Sequence, residues 1–253
     1  RPPRLRARAK RVPYPESVAR DRLTALIYGM AIASGFAVAV LGPAMPTLRG
    51  DLGISRTVGG LHFSAIAIGA VVAGFLVEAS TRAFGRRRIF WSGGAGIATG
   101  SLIIAIGTTP VVTIAGALVV GISGAAFLSV GQASLSDHHP DARPVTLTEL
   151  HASTSTGSVL PALVIGAVVA AGVCWRIGVL TPVVLIIALF FVGRGVTFPA
   201  MPGGGDGTNA PPLPGAYWLF WAAFIPSVGA EWSIGAWGAG YLIDLVVTSA
   251  GTA

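Results

Sequence analysis

Charge is what this sequence has least of. Only 11% of its 253 residues are charged, while 53% are hydrophobic and the mean hydropathy is +0.75. Soluble chains run near a quarter charged, so a water-soluble domain is excluded. Lysine is nearly missing: Lys10 stands alone, which removes a Schiff-base lysine from every apolar segment and with it a retinal-type pigment. Cysteine is reduced to Cys174, so no intramolecular disulfide and no cysteine-cluster metal site can form. No Walker sequence is present to bind ATP. The formal charge of +7 and pI near 10.7 suggest a nucleic-acid partner at first sight, but their distribution argues against one. Residues 1–22 carry eight bases (Arg1, Arg4, Arg6, Arg8, Lys10, Arg11, Arg20, Arg22) against Glu16 and Asp21, and the other 231 residues are almost neutral. A basic tail precedes an apolar body.

What is abundant is long apolar runs. A helix needs about 20 such residues to cross the hydrocarbon core, and lipid leaves the backbone no partner but itself. Seven segments meet this: Leu23–Leu48, Val58–Val77, Ile89–Gly107, Val111–Leu135, Val145–Val173, Ile177–Val192 and Ala216–Val247. The fold class is therefore all-α, a polytopic membrane protein. The first run is too long for a signal-peptide core and has no clear cleavage site, so it reads as a span that stays. Three charged residues fall inside these limits: Glu149, Glu231 and Asp244. The organisation expected is a basic tail over 1–22, a six-helix bundle over 23–192, a Gly- and Pro-rich linker over 193–215 with no regular element or packed core, and a seventh helix within 216–253. Six helices, a pause and a seventh suggest a twelve-helix protein cut short.

Positive charge sets the orientation. With the N-terminus inside, the segments 1–22, 78–88, 136–144 and 193–215 hold fourteen bases, against three outside (Arg49, Arg56, Arg176). This predicts a cytoplasmic N-terminus in the cytoplasmic membrane.

Three stretches carry a family resemblance. The second run ends Gly74-Phe-Leu-Val-Glu78, followed by Arg82-Ala-Phe-Gly85-Arg86-Arg87-Arg88. The first ends Gly42-Pro43-Ala-Met-Pro46-Thr-Leu-Arg-Gly-Asp51-Leu-Gly53, and the sixth is preceded by Trp175-Arg176. Together they resemble the major facilitator superfamily: its loop between helices two and three, the outer end of its helix one, and its Trp-Arg pair before helix six. One departure is the spacing from Glu78 to Gly85, longer by one helical turn than the usual pattern, which lets Glu78 and Arg82 share a face. A helix-four arginine is missing, and Leu160-Pro161 stands where antiporters carry Gly-Pro. The resemblance implies the first half of a transporter plus helix seven, with the loop acting as a gate against helix eleven. It also implies that this chain alone does not transport.

Several residues are candidates for the chemistry. Glu231 with Trp232, beside Trp237, sits deep in the seventh segment, where a carboxylate takes a proton or pairs with a cationic solute; the plainer role is a glutamate holding helices together. Glu149 and His151, two positions apart and so on different faces, open the fifth segment, and Gln132 is a cavity hydrogen-bonder. Pro43, Pro46, Pro161 and Pro226 are expected to kink their helices, Pro226 opening the helix near Glu231. His62 is expected at the membrane interface. His138 and His139, with Asp137 and Asp141, are read as a solvated loop rather than a metal site, and neither metal nor cofactor is expected. Gly93, Gly96 and Gly100, and Gly121 with Gly124 and Ala125, are read as close-packing positions.

The expected function is secondary active transport of a small organic solute by alternating access, coupled to protons, with export favoured over uptake. The partners are the solute, protons, membrane lipid and a missing C-terminal helix bundle, with no nucleic acid. The competing readings are a complete seven-helix uniporter or receptor-like protein and, last, a membrane enzyme. Inverted repeats between segments 1–3 and 4–6 mark the facilitator, and parallel repeats between 1–3 and 5–7 mark the uniporter or receptor.

Overall fold

The computed structural model describes residues 20–201 and 213–246. The tail bases Arg1, Arg4, Arg6, Arg8, Lys10 and Arg11, and linker residues 202–212, lie outside the described residues. Nine α-helices and one short 3-10 turn make up the described chain. Helices α1 (Arg22–Ala39) and α2 (Leu41–Leu52) form the first span. Then come α3 (Arg56–Phe84), α4 (Arg86–Ile106), α5 (Pro110–His138) and α6 (Arg143–Ala170), the last entered through a 3-10 turn at Pro140–Ala142. Helices α7 (Arg176–Val179) and α8 (Thr181–Gly193) form the sixth span, and α9 runs Gly215–Val246. Six spans among the described residues are long and apolar enough to cross a membrane.

Local chemistry explains the ends. Asp21 caps α1 by accepting from the Thr24 amide (3.0 Å), and Ser55 caps α3 by accepting from the Val58 amide (3.3 Å). Pro110 and Pro182 sit in the first turns of α5 and α8, where no N–H is needed. Pro43 lacks the N–H that would bond Ala39, which weakens the ladder around Val40, a residue that keeps helical dihedrals (φ −59°, ψ −28°) between α1 and α2. Pro46, Pro161 and Pro226 lie inside helices that run on past them, each removing one backbone hydrogen bond from its ladder. The second segment also runs past its expected end, because Glu78 to Phe84 continue the helix into the polar zone.

The bundle closes on Ile27, Met30, Phe36, Leu48, Phe90, Ile97, Phe127, Leu135, Leu150 and Ile165, all fully buried. Two helix pairs approach backbone to backbone. A Cβ on Gly121 of α5 would lie 2.2 Å from the Ile66 carbonyl oxygen of α3, and one on Gly157 of α6 would lie 2.1 Å from that of Ile32 in α1. Only glycine fits there, as small-residue packing in lipid requires. The expected glycines Gly93, Gly96 and Gly100 of α4 face Ser123, Phe127 and Val120 of α5 in the same manner. Outward, Val111 and Val192 are 75% and 84% exposed, the surface of a helix solvated by lipid rather than water.

The linker expected to lack packing is partly packed. Phe198 stacks on Phe90 with ring centroids 4.9 Å apart, and Val196 also lies against the core. His62 is buried between α3 and α5, its Nδ1–H donating to the Gly59 carbonyl (3.1 Å) and its Nε2 accepting from the Thr113 hydroxyl (2.8 Å).

Candidate functional site

Three groups of polar and aromatic side chains punctuate the apolar bundle. The first is at the junction of α3 and α4. Gly85 joins them with φ +83° and ψ 155°, a conformation open essentially to glycine alone. One turn before it, Arg82 Nη2 donates to Glu78 Oε1 (2.5 Å), so the extra turn does place acid and base on one face. Both side chains are about two-thirds exposed, and such i,i+4 pairs contribute only about 0.3–0.5 kcal/mol to stability. Arg86 points the other way. Its side chain is 7% exposed and its Nη2 donates to Asp137 Oδ2 at the end of α5 (2.6 Å). Arg87 donates to the Arg194 carbonyl after α8, and Arg88 is exposed. Gly74, the glycine that opens this stretch, is exposed, with open space where a Cβ would stand.

The second group lies at the same end of the bundle, where α1 and α6 begin. Glu149 pairs with Arg20 and accepts from the Tyr28 hydroxyl (2.9 Å). Two positions on, His151 faces α5 instead, its Nε2 accepting from Gln132 Nε2 (3.3 Å). The two residues do occupy different faces, and two of the expected cavity residues meet each other. Beside them His138 Nε2 donates to Asp21 Oδ2 (2.7 Å). The Thr24 hydroxyl donates to Asp21 Oδ1 (2.8 Å), leaving its oxygen to accept from His139 Nε2 (2.8 Å). Burial pushes the Asp21 carboxyl up, but the hydrogen bonds from Thr24 and His138 outweigh it and hold the group below the usual carboxylate range. Burial first, and His138 second, hold His139 below the usual imidazole value. The hydrogen bond and charge of Glu149 hold Arg20 above its own.

Asp21, His138 and His139 bring one ligand atom each to within 4.8 Å of one another, a nitrogen and oxygen donor set of the kind zinc accepts. The set differs from the sequence grouping, because Asp137 is taken by Arg86 and Asp141 is exposed. Hydrogen bonds among these residues and Thr24 already account for the arrangement.

The third group is at the opposite end. There α9 lies against α2, and a Cβ on Gly42 would stand 2.3 Å from the Gly235 carbonyl oxygen. Next to this contact an open groove of about 450 Å³ runs between α3 and α9, lined by Thr57, Gly60, Leu61, Phe63, Ser64, Trp232, Ser233 and Trp237. Phe63 and Trp237 rings meet at 6.1 Å. Trp232 lines the groove, but Glu231 does not; it is exposed on another side of α9. From Gly215 to Ser227 every residue of α9 is exposed. The Asp244 side chain lies outside what is described.

Sequence reasoning misses the partners. Arg20 and Asp21 count there only as tail charge, and Tyr28 as part of an apolar run. Asp51, which accepts from Trp175 Nε1 (2.7 Å), belongs to one recognised stretch and Trp175 to another. The signal available is polarity: each is a hydrogen-bonding group beside an apolar run, where it needs a partner.

No curated protein matches the chain. The sequence model of the Major Facilitator Superfamily matches residues 27–251, which takes in all six spans and α9 apart from the first turn of α1. Members of this superfamily are transporters rather than enzymes. The chain is thus an integral membrane protein that belongs to the Major Facilitator Superfamily.

Proposed function

We propose that this chain forms part of a secondary active transporter that moves a small organic solute across the cytoplasmic membrane by alternating access, driven by protons and working as an exporter. The N-terminus is on the cytoplasmic side. The observation that carries the reading is the uneven contact of α9. It meets the bundle at α2 and at the groove on α3, while from Gly215 to Ser227 it is exposed throughout. A carrier closed at one end and open at the other has this form. Among the described residues, Arg20, Arg22, Arg82, Arg86, Arg87, Arg88, Arg143 and Arg194 lie at the end of the bundle where α9 is exposed, which supports reading that end as the cytoplasmic mouth.

The exposed flanks of α3 and α6, with the start of α9, are the surface assigned to a second helix bundle. Phe75 and Leu163, 82% and 67% exposed, are apolar enough for that contact. Glu78 and Arg82 stand on the same flank of α3 as a gate towards that bundle.

Trp232, Trp237 and Phe63 suit a solute with a flat apolar face, and Thr57, Ser64 and Ser233 offer it hydrogen bonds without charge. Glu231 is the proton carrier. A carboxylate midway along a membrane helix costs about 2.5–3.5 kcal/mol on insertion scales, so it is kept where it faces water or titrates. The test is Glu231→Gln in the assembled two-bundle protein, reconstituted with lipophilic aromatic dyes as probes. Flux driven by a pH gradient is expected to be lost while dye exchange at equal pH persists. Unchanged pH dependence removes Glu231 from the role.

A further inference from the structure

Asp51 stands in the last turn of α2, two residues before Gly53 ends the first span with φ +62°. Its Oδ2 accepts from Trp175 Nε1 (2.7 Å), and Arg176 Nε lies 3.8 Å from the same oxygen. Arg176 extends the tie. Its Nη1 donates to the carbonyls of Ala105 and Gly107 at the end of α4 (2.9 and 2.7 Å), and its guanidinium sits 4.9 Å over the Trp175 ring. Trp175 itself is 4% exposed. One carboxylate thus joins the outer ends of the first, third and sixth spans, 124 residues apart in sequence at the hydrogen bond.

Helix α2 depends on such a tie. The bond that Pro43 cannot make weakens the ladder joining α2 to α1 around Val40, and α2 is what α9 leans on at Gly42 and Gly235. We propose that Asp51 is a positioning residue for the outer closure: through Trp175 and Arg176 it sets the tilt of α2 and so holds α9 against the bundle. It touches no solute. The inference rests on the alternating-access reading, in which parting α2 from α9 opens the outer mouth.

Two conservative variants separate this role from folding. Trp175→Phe keeps the ring and loses the donor, whereas Asp51→Asn keeps an acceptor and loses the charge facing Arg176. Two reporter thiols are introduced separately on a Cys174→Ala background. Ser64→Cys in the groove wall reports the outer mouth and Ser227→Cys on exposed α9 reports the inner one, each through its rate of reaction with a membrane-impermeant maleimide. In the assembled two-bundle protein both variants are expected to speed labelling of the outer reporter about three- to tenfold, the shift that loss of one hydrogen bond gives a two-state equilibrium. Labelling of the inner reporter should fall in the same variants. A purely structural role lowers yield and melting temperature and leaves the outer labelling rate of the folded fraction unchanged, which overturns the proposal. If Trp175→Phe does not fold, Asp51→Asn carries the same test. Faster outer labelling with an unchanged inner rate supports the clamp and counts against alternating access, so the two failures are distinguishable.

Discussion

The Arg86–Asp137 pair permits a calculation that the exposed charges do not. Arg86 is 7% exposed and Asp137 26%, and among the described residues the guanidinium's other partner is the Pro199 carbonyl, at 3.5 Å. Replacing Asp137 by Ala strands a nearly buried charge. Breaking a buried pair costs about 3–5 kcal/mol, but Asp137 stands at the bundle's end with a quarter of its surface exposed, which lowers the expectation to about 2 kcal/mol. Arg86→Met is milder, about 1 kcal/mol, because the remaining carboxylate can hydrate and the Met side chain refills part of the apolar volume. The order of the variants follows. Asp137→Ala should melt about 4–8 °C below the parent, while the double variant Arg86→Met, Asp137→Ala should recover to near Arg86→Met alone. The assay is apparent Tm in detergent at one heating rate, read by loss of monodisperse protein. The double variant falling by the sum of the two single losses would refute the reasoning, since independent residues add and a stranded charge does not.

Two other expectations follow from the geometry. Gly121→Ala puts a methyl 2.2 Å from the Ile66 carbonyl and must part α3 from α5, an overpacking cost of about 1–3 kcal/mol, whereas Gly74→Ala, which meets open space, should leave the melting temperature of this chain unlowered; equal losses in the two variants would contradict the packing account. His139 is held below its ordinary value of 6.5, so between that value and its lower folded one the unfolded chain binds the proton and the folded chain does not. Stability is therefore full above about pH 6.5 and drains as pH falls through that window, which is well separated from the acid range in which Asp21 titrates. His139→Gln should flatten the fall in Tm between pH 7 and about 5.5, and an unchanged slope would place the acid sensitivity elsewhere.

The spans are legible because hydrophobicity over about twenty residues is a one-dimensional signal. The start of each expected segment lies within three residues of its helix, and the large error, at Val77, arises because a helix does not stop where its apolar stretch does. Pairing is not legible. Spans that are apolar on all sides give no moment to point one face at another, so nothing in α1 announces that its partner is α6. In sequence Asp137 groups with the histidines beside it, yet its partner lies 51 residues earlier; Glu149 reads as a cavity group, yet it is tied to Arg20. The glycines do better, because in lipid a small residue has few uses other than close approach.

The spans are also unequal in length. The first, second, fourth and fifth run 29 to 31 residues, but the third has 21 and the sixth 19. At 1.5 Å per residue the short pair reach only about 28–32 Å, the thickness of the hydrocarbon itself. They must stand close to the membrane normal, since tilting would draw their polar ends into lipid, while the longer four have about a third of their length free to lean or protrude. Among the described spans, the thickness of the bilayer is thus sensed most directly by these two, and a membrane of the wrong depth strains them first.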